Sequence, residues 1–164
     1  MASFDPNGYM QYDSIRDYYA RLTNNSQSNV LNHLWFNILR EYFPVQEGFG
    51  LEIRPRVTEH DDITIQYVKA LRNDLLSTRM ILALDEHLTE CMQLARNTVQ
   101  AEGIFGIATV GHYSRFYIMD SGADVLSDHP ATMGKALEYK THESQIVELL
   151  LAIKAEAMGS DSSS

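Results

Sequence analysis

The chain has 164 residues, 45% hydrophobic and 21% charged, with nine Gly and four Pro; that is one domain's worth of core-forming sequence and too apolar for a disordered chain. Its formal charge of −9, from 13 Lys and Arg against 22 Asp and Glu, works against loose adhesion to nucleic acid or to an anionic membrane, both of which draw on basic runs. No apolar run is longer than Met80–Leu84, far short of the ~20 residues of a membrane span, and the lone Cys91 points to a reducing, cytoplasmic or nuclear setting.

Along the chain, residues 1–11 read as a loose arm with a turn at Asp5-Pro6-Asn7-Gly8. Polar and charged residues in Met1–Tyr9 leave no room for the apolar centre of a secretion signal. A short helix is expected from about Ser14 to Leu22, closed by the polar stretch Thr23–Asn29. Val30, Leu31, Leu34, Trp35, Ile38, Leu39 and Tyr42 then recur at helical spacing until Pro44, which predicts a helix over Ser28–Tyr42. After a turn at Gln46–Gly50 comes a short strand near Leu51–Arg54.

The alternation of Ile63, Ile65 and Tyr67 with Thr64, Gln66 and Val68 predicts a strand over Asp62–Val68. A loop through Asn73 and Asp74 leads to Arg79–Leu84, a run suited to a strand buried on both faces. Leu88, Met92, Ala95 and Val99 form one stripe of a helix over Leu88–Gln100. Ile104–Val110 and Arg115–Met119 read as strands joined by a tight connection at Gly111–Ser114. Ser121–Pro130 reads as irregular, Glu143–Ala157 as an amphipathic helix and Gly159–Ser164 as a mobile tail. A helix between two buried strands calls for a crossover and some parallel pairing. The expected architecture is a single α/β domain with a central mixed sheet flanked by helices.

Two acidic groups stand at predicted strand ends. His60-Asp61-Asp62 opens one strand and Asp85-Glu86-His87 closes the next. If the strands are neighbours, two carboxylates and a histidine meet at one sheet end, a donor set suited to Mg²⁺ with water and a substrate phosphate; solvated loop acids are the plainer reading. The order α-β-β-β-α-β, with these acids where they stand, is similar to the PD-(D/E)xK nuclease superfamily. The stretches His33-Leu34-Trp35…Glu41-Tyr42-Phe43-Pro44, Asp61-Asp62-Ile63-Thr64-Ile65 and Gly106-Ile107-Ala108-Thr109-Val110-Gly111…Arg115-Phe116-Tyr117 resemble its fungal intracellular branch.

The resemblance covers residues 28–119. It leaves aside the arm and first helix, residues 1–27, the loop and last helix, residues 120–158, and the tail, residues 159–164. It implies a restriction-endonuclease-like core in which Asp62 and Asp85 hold Mg²⁺, His87 takes the place usually held by lysine, and Gln93 matches a glutamine of the following helix. Asp61 stands where proline is common, and Glu47 or Glu52 is a further acid some branches use. In such sites the carboxylate-bound metal supplies an activated water and stabilises the pentavalent phosphate. The histidine is shorter than lysine and mostly neutral at pH 7, and Asp85 is one methylene shorter than glutamate. Both departures fall on the defining positions, so phosphodiester hydrolysis is expected to be weak or lost. The alternative is a repurposed scaffold, a binding protein or small-molecule enzyme in the former nuclease cleft.

His60-x-Asp62 with His112 also resembles a two-histidine, one-carboxylate iron site. The jelly-roll scaffold of such sites conflicts with a helix at Leu88–Gln100. His112 and Arg115 form a polar cluster in a tight loop, where Arg115 suits a phosphate or carboxylate of a substrate or pairs with a surface acid. The wide stripe Ile146, Val147, Leu149, Leu150, Leu151 and Ile153 suggests a homodimer through the C-terminal helix.

Overall fold

The apolar periodicity of residues 30–42 is realised as a helix. The structure is a computed structural model and describes residues 5–22, 28–57, 62–72, 75–84, 104–119 and 126–159. Helix α1 spans Asp13–Arg21 and helix α2 spans Ser28–Tyr42. On α2, Leu34, Trp35, Ile38 and Leu39 are fully buried, at the i, i+1, i+4, i+5 spacing that lines one helical face. Pro44 lies just beyond, and Phe43 N–H still donates to Leu39 O at 2.8 Å, so the helix stops where the next amide donor is missing.

Strands β1 (Phe49–Val57), β2 (Asp62–Arg72) and β3 (Leu75–Leu84) form an antiparallel meander. Strand β4 (Ile104–Val110) lies beside β3 in parallel, and β5 (Tyr113–Met119) returns antiparallel to β4. Two short strands, β6 (Ser127–Asp128) and β7 (Leu137–Glu138), both pair with β5. Helix α3 spans Glu143–Gly159. The α/β class and the mixed sheet are as the sequence predicts. The parallel β3–β4 pair cannot be joined by a hairpin; its connection is residues 85–103, and the helix predicted at Leu88–Gln100 lies outside the described residues, as do residues 160–164 of the tail.

Strand alternation divides the sheet's side chains between two cores. Val68, Met80, Leu82, Ile107 and Phe116 join the core made with α1, α2 and α3. Ile65, Ile81, Ala83, Ile104, Ala108 and Met119 make a second core on the opposite face. Met80, Ile81, Leu82 and Ala83 are therefore all at most 1% exposed, the pattern of a strand covered on both sides. The pairing steps from Val68↔Met80 to Lys69↔Thr78, which leaves Arg79 as the extra residue of a bulge in β3.

Two segments depart from expectation. Residues 5–11 are docked rather than loose: Tyr9 is fully buried and its hydroxyl donates to Tyr139 O, while Met10 N–H donates to Glu143 Oε2 at 2.5 Å. The stripe on the last helix is consumed by the chain's own core. Ile146, Val147, Leu149, Leu150 and Ile153 are buried, and only Leu151 of that stripe is exposed, at 42%. Helices from residues 13–42 and 143–159 thus share one core with the sheet.

Candidate functional site

One end of the sheet holds Asp62, at the start of β2, and His112, just beyond the end of β4. β2 and β3 are antiparallel neighbours with Gln66 opposite Leu82, so β2 begins, at Asp62, where β3 ends, at Leu84. Leu84 in turn stands beside Thr109 of the parallel β4, whose chain turns at Gly111–His112 into β5. Gly111 has φ 54°, a left-handed conformation that a side chain disfavours, and this lets the connection close tightly. The start of β2 and the end of β4 lie two strand spacings apart, about 10 Å. In sheets with parallel strands, ligands commonly sit at this carboxyl end.

His112 is fixed at that end on the helical face. Its ring meets Tyr19 of α1 edge-on, with centroids 5.5 Å apart and planes at 74°. Its carbonyl accepts Tyr139 N–H at 3.2 Å. Tyr19 hydroxyl donates to Glu138 Oε1 at 2.5 Å. The other carboxylate oxygen of Glu138 accepts the amides of Lys140 and Thr141 at 2.9 and 2.6 Å. Glu138 N–H donates to His142 Nδ1 at 3.0 Å. Burial pushes the Glu138 carboxyl up, but the hydrogen bonds from Thr141, Tyr19 and Lys140 outweigh it and hold the group below its ordinary range. Burial and the same carboxylate push the Tyr19 phenol up to about 12. This network ties α1, β7 and the approach to α3 together beside His112. The sequence carried no sign of it, because Tyr19 and Glu138 lie 119 residues apart.

Arg115 does not join His112. Ser114 and Phe116 are buried on the helical side, so Arg115 between them falls on the other face, opposite Ala108. There its Nη2 donates to Asp128 Oδ1 at 3.2 Å and its guanidinium lies 5.4 Å from the Tyr117 ring centroid. The surface-acid pairing is thus the one observed, with both side chains nearly half exposed. Arg115 Nε is buried with no hydrogen-bond partner among the described residues.

For Asp62 the structure describes the backbone, at the first position of β2. Asp85, His87 and Gln93 lie outside the described residues. Among the described residues no three His, Cys, Asp or Glu side chains converge as a metal site would require. What the backbone shows is the start of β2 beside the end of β3.

A separate cavity of about 590 Å³ lies at the other end of β4, lined by His129, Ser144, Gln145, Glu148 and Leu149. His129 Nδ1 accepts Ala131 N–H at 3.1 Å, its ring lies 5.9 Å from Phe105, and burial holds its pKa below the usual histidine range. No described helix is long and apolar enough to cross a membrane. The chain matches no protein-family model, no curated protein and no solved structure, so its fold and site rest on the geometry above.

Proposed function

We propose that the chain is a PD-(D/E)xK nuclease-like protein in which metal-dependent phosphodiester hydrolysis is weak or lost. One observation carries the reading. A helix is followed by an antiparallel three-strand meander and then by a strand parallel to the third, and this order brings the β2 start and the β3 end together. Asp62 and Asp85 would hold Mg²⁺, which when bound supplies a more acidic water and charge stabilisation at phosphorus.

The rest falls to the chain's own groups. At the lysine position, His87 offers a neutral imidazole near pH 7, able to orient a water or take its proton but without the fixed positive charge of lysine. That missing charge leaves the developing anion less stabilised, which is the reason to expect weak turnover. His112, whose ring meets Tyr19 of α1 just beyond the end of β4, would border the same cleft.

Calorimetric titration with Mg²⁺ and Mn²⁺ tests the reading on the natural chain and on Asp62→Ala with Asp85→Ala, alongside cleavage assays on single- and double-stranded substrates. Saturable binding that the double variant loses is the expected result. No heat at millimolar metal in the natural chain refutes the metal-dependent mechanism, and the cleft then belongs to a different ligand.

A further inference from the structure

We propose that β1 is a dimer edge, on which a second copy of this chain adds its own β1 antiparallel to make one continuous sheet; this is independent of the nuclease reading. β1 is the terminal strand of the sheet, paired on one side with β2. Among the described residues nothing pairs with its other side. Nine residues is long for an open edge, and open edges are templates for strand addition.

Pro55 tells which backbone groups face outward. Its register with β2 is unbroken, Pro55 opposite Thr64, and proline has no amide hydrogen to give to a ladder. Within an edge strand its nitrogen belongs on the open side. Ile53 and Leu51, two and four residues earlier, therefore turn their N–H and C=O groups to the open edge as well. Two apolar side chains stand exposed beside them, Ile53 at 48% and Val45 at 78%. A cavity of about 600 Å³ of mixed character, lined by Phe36, Val45 and Leu51 together with Arg40, Glu41 and Gln46, opens along the same margin.

Charge chooses both the occupant and the register. β1 carries one acid and two arginines, Glu52, Arg54 and Arg56, in a chain of net charge −9, so this edge escapes the self-repulsion that the rest of the surface imposes on a second copy. Antiparallel pairing that joins outward-facing residues allows few registers. Centring on position 52 sets Glu52 against itself, and centring on 54 sets Arg54 against itself. Centring on Ile53 sets Glu52 opposite Arg54 twice, once on each side of the two-fold axis. Opposite charges directly across a strand pair stabilise it, and like charges do the reverse. The same register sets Ile53 against Ile53 and costs only the bonds that Pro55 cannot donate. An isologous contact of this kind closes at two copies.

The test is the mass of the whole chain by sedimentation equilibrium from micromolar to submillimolar concentration. The natural chain is expected to dimerise. Arg54→Glu, which opposes like charges at both positions, should weaken the dimer about tenfold. Adding Glu52→Arg to it restores the complementarity and should recover the dimer, even though Lys69 then loses its 2.9 Å partner Glu52. Ile53→Lys, at a position already exposed, provides a second weakening variant should Arg54→Glu fail to fold. A monomer at every concentration overturns the proposal. So does a dimer that neither weakening variant disturbs, since it must then form through another face.

Discussion

The docking of the N-terminal segment on α3 can be tested with one methyl group. Gly8 has φ −85° and ψ 150°, a conformation alanine adopts freely, so chain entropy alone would make Gly8→Ala stabilising by about 0.4–1 kcal/mol. A Cβ placed there, however, meets the Glu143 carboxylate, with Cδ and Oε2 at 2.7 Å and Oε1 at 2.9 Å. The carboxylate has to move, and it is the acceptor for Met10 N–H at 2.5 Å. Losing a hydrogen bond to a charged group costs about 1.5–3 kcal/mol, so the net loss is about 1–2 kcal/mol. For a chain of this size that lowers Tm by about 3–6 °C, measured by calorimetry. The decisive control is the same change in a Glu143→Ala background. With the carboxylate gone the methyl group fits, and Gly8→Ala should become neutral or stabilising. An equal loss in both backgrounds would refute the reasoning.

Two glutamates should give opposite pH signatures in chemical denaturation. Burial raises the Glu143 pKa, an effect opposed by Met10 N–H and reinforced by Asp5, so its contribution to stability grows as pH falls through that raised value and declines as pH rises through it. Glu143→Gln should therefore match or exceed the natural chain at neutral pH, with the difference shrinking on acidification. Glu138, held below its ordinary range, contributes above the ordinary carboxylate pKa and loses that contribution as pH falls through its folded value. Glu138→Gln should be destabilising at pH 7 and nearly neutral in acid. Leu150, fully buried on α3, should cost about 2–5 kcal/mol as Leu150→Ala, and a loss under 1 kcal/mol would mean that α3 does not share the main core. Asp128→Ala, at a half-exposed pair with Arg115, should change stability by no more than about 1 kcal/mol.

Some elements were legible because their information is local. The helix over Ser28–Tyr42 follows from the spacing of seven apolar residues and the proline that ends them, and the doubly covered Met80–Ala83 follows from an unbroken apolar run. The strands themselves run further than their patterns: β1 reaches Phe49–Val57 and β2 reaches Arg72, because ladder bonds to neighbours extend a strand through residues with weak preferences, Pro55 among them. β6 and β7 are two residues each, with no alternation to read, and exist because β5 offers them an edge. The candidate site was half legible. Acids at strand ends could be read directly, but whether the strands were neighbours could not. His112 and Arg115, three residues apart, were read as one cluster. They face opposite sides, because the turn gives way to strand alternation between them.

By itself the sequence determined the class of molecule: an acidic α/β domain with its helices, its buried strands and a crossover between two of them, since these follow from composition and from periods of two and 3.6 residues. Only the tertiary structure decided which surfaces those elements keep. It put Tyr9 against Tyr139 across 130 residues of chain, consumed the last helix's stripe inside the core and left β1 as the terminal strand of the sheet among the described residues. Burial is a property of pairs of surfaces, and a residue's partner across the fold is set by topology rather than by its neighbours in sequence.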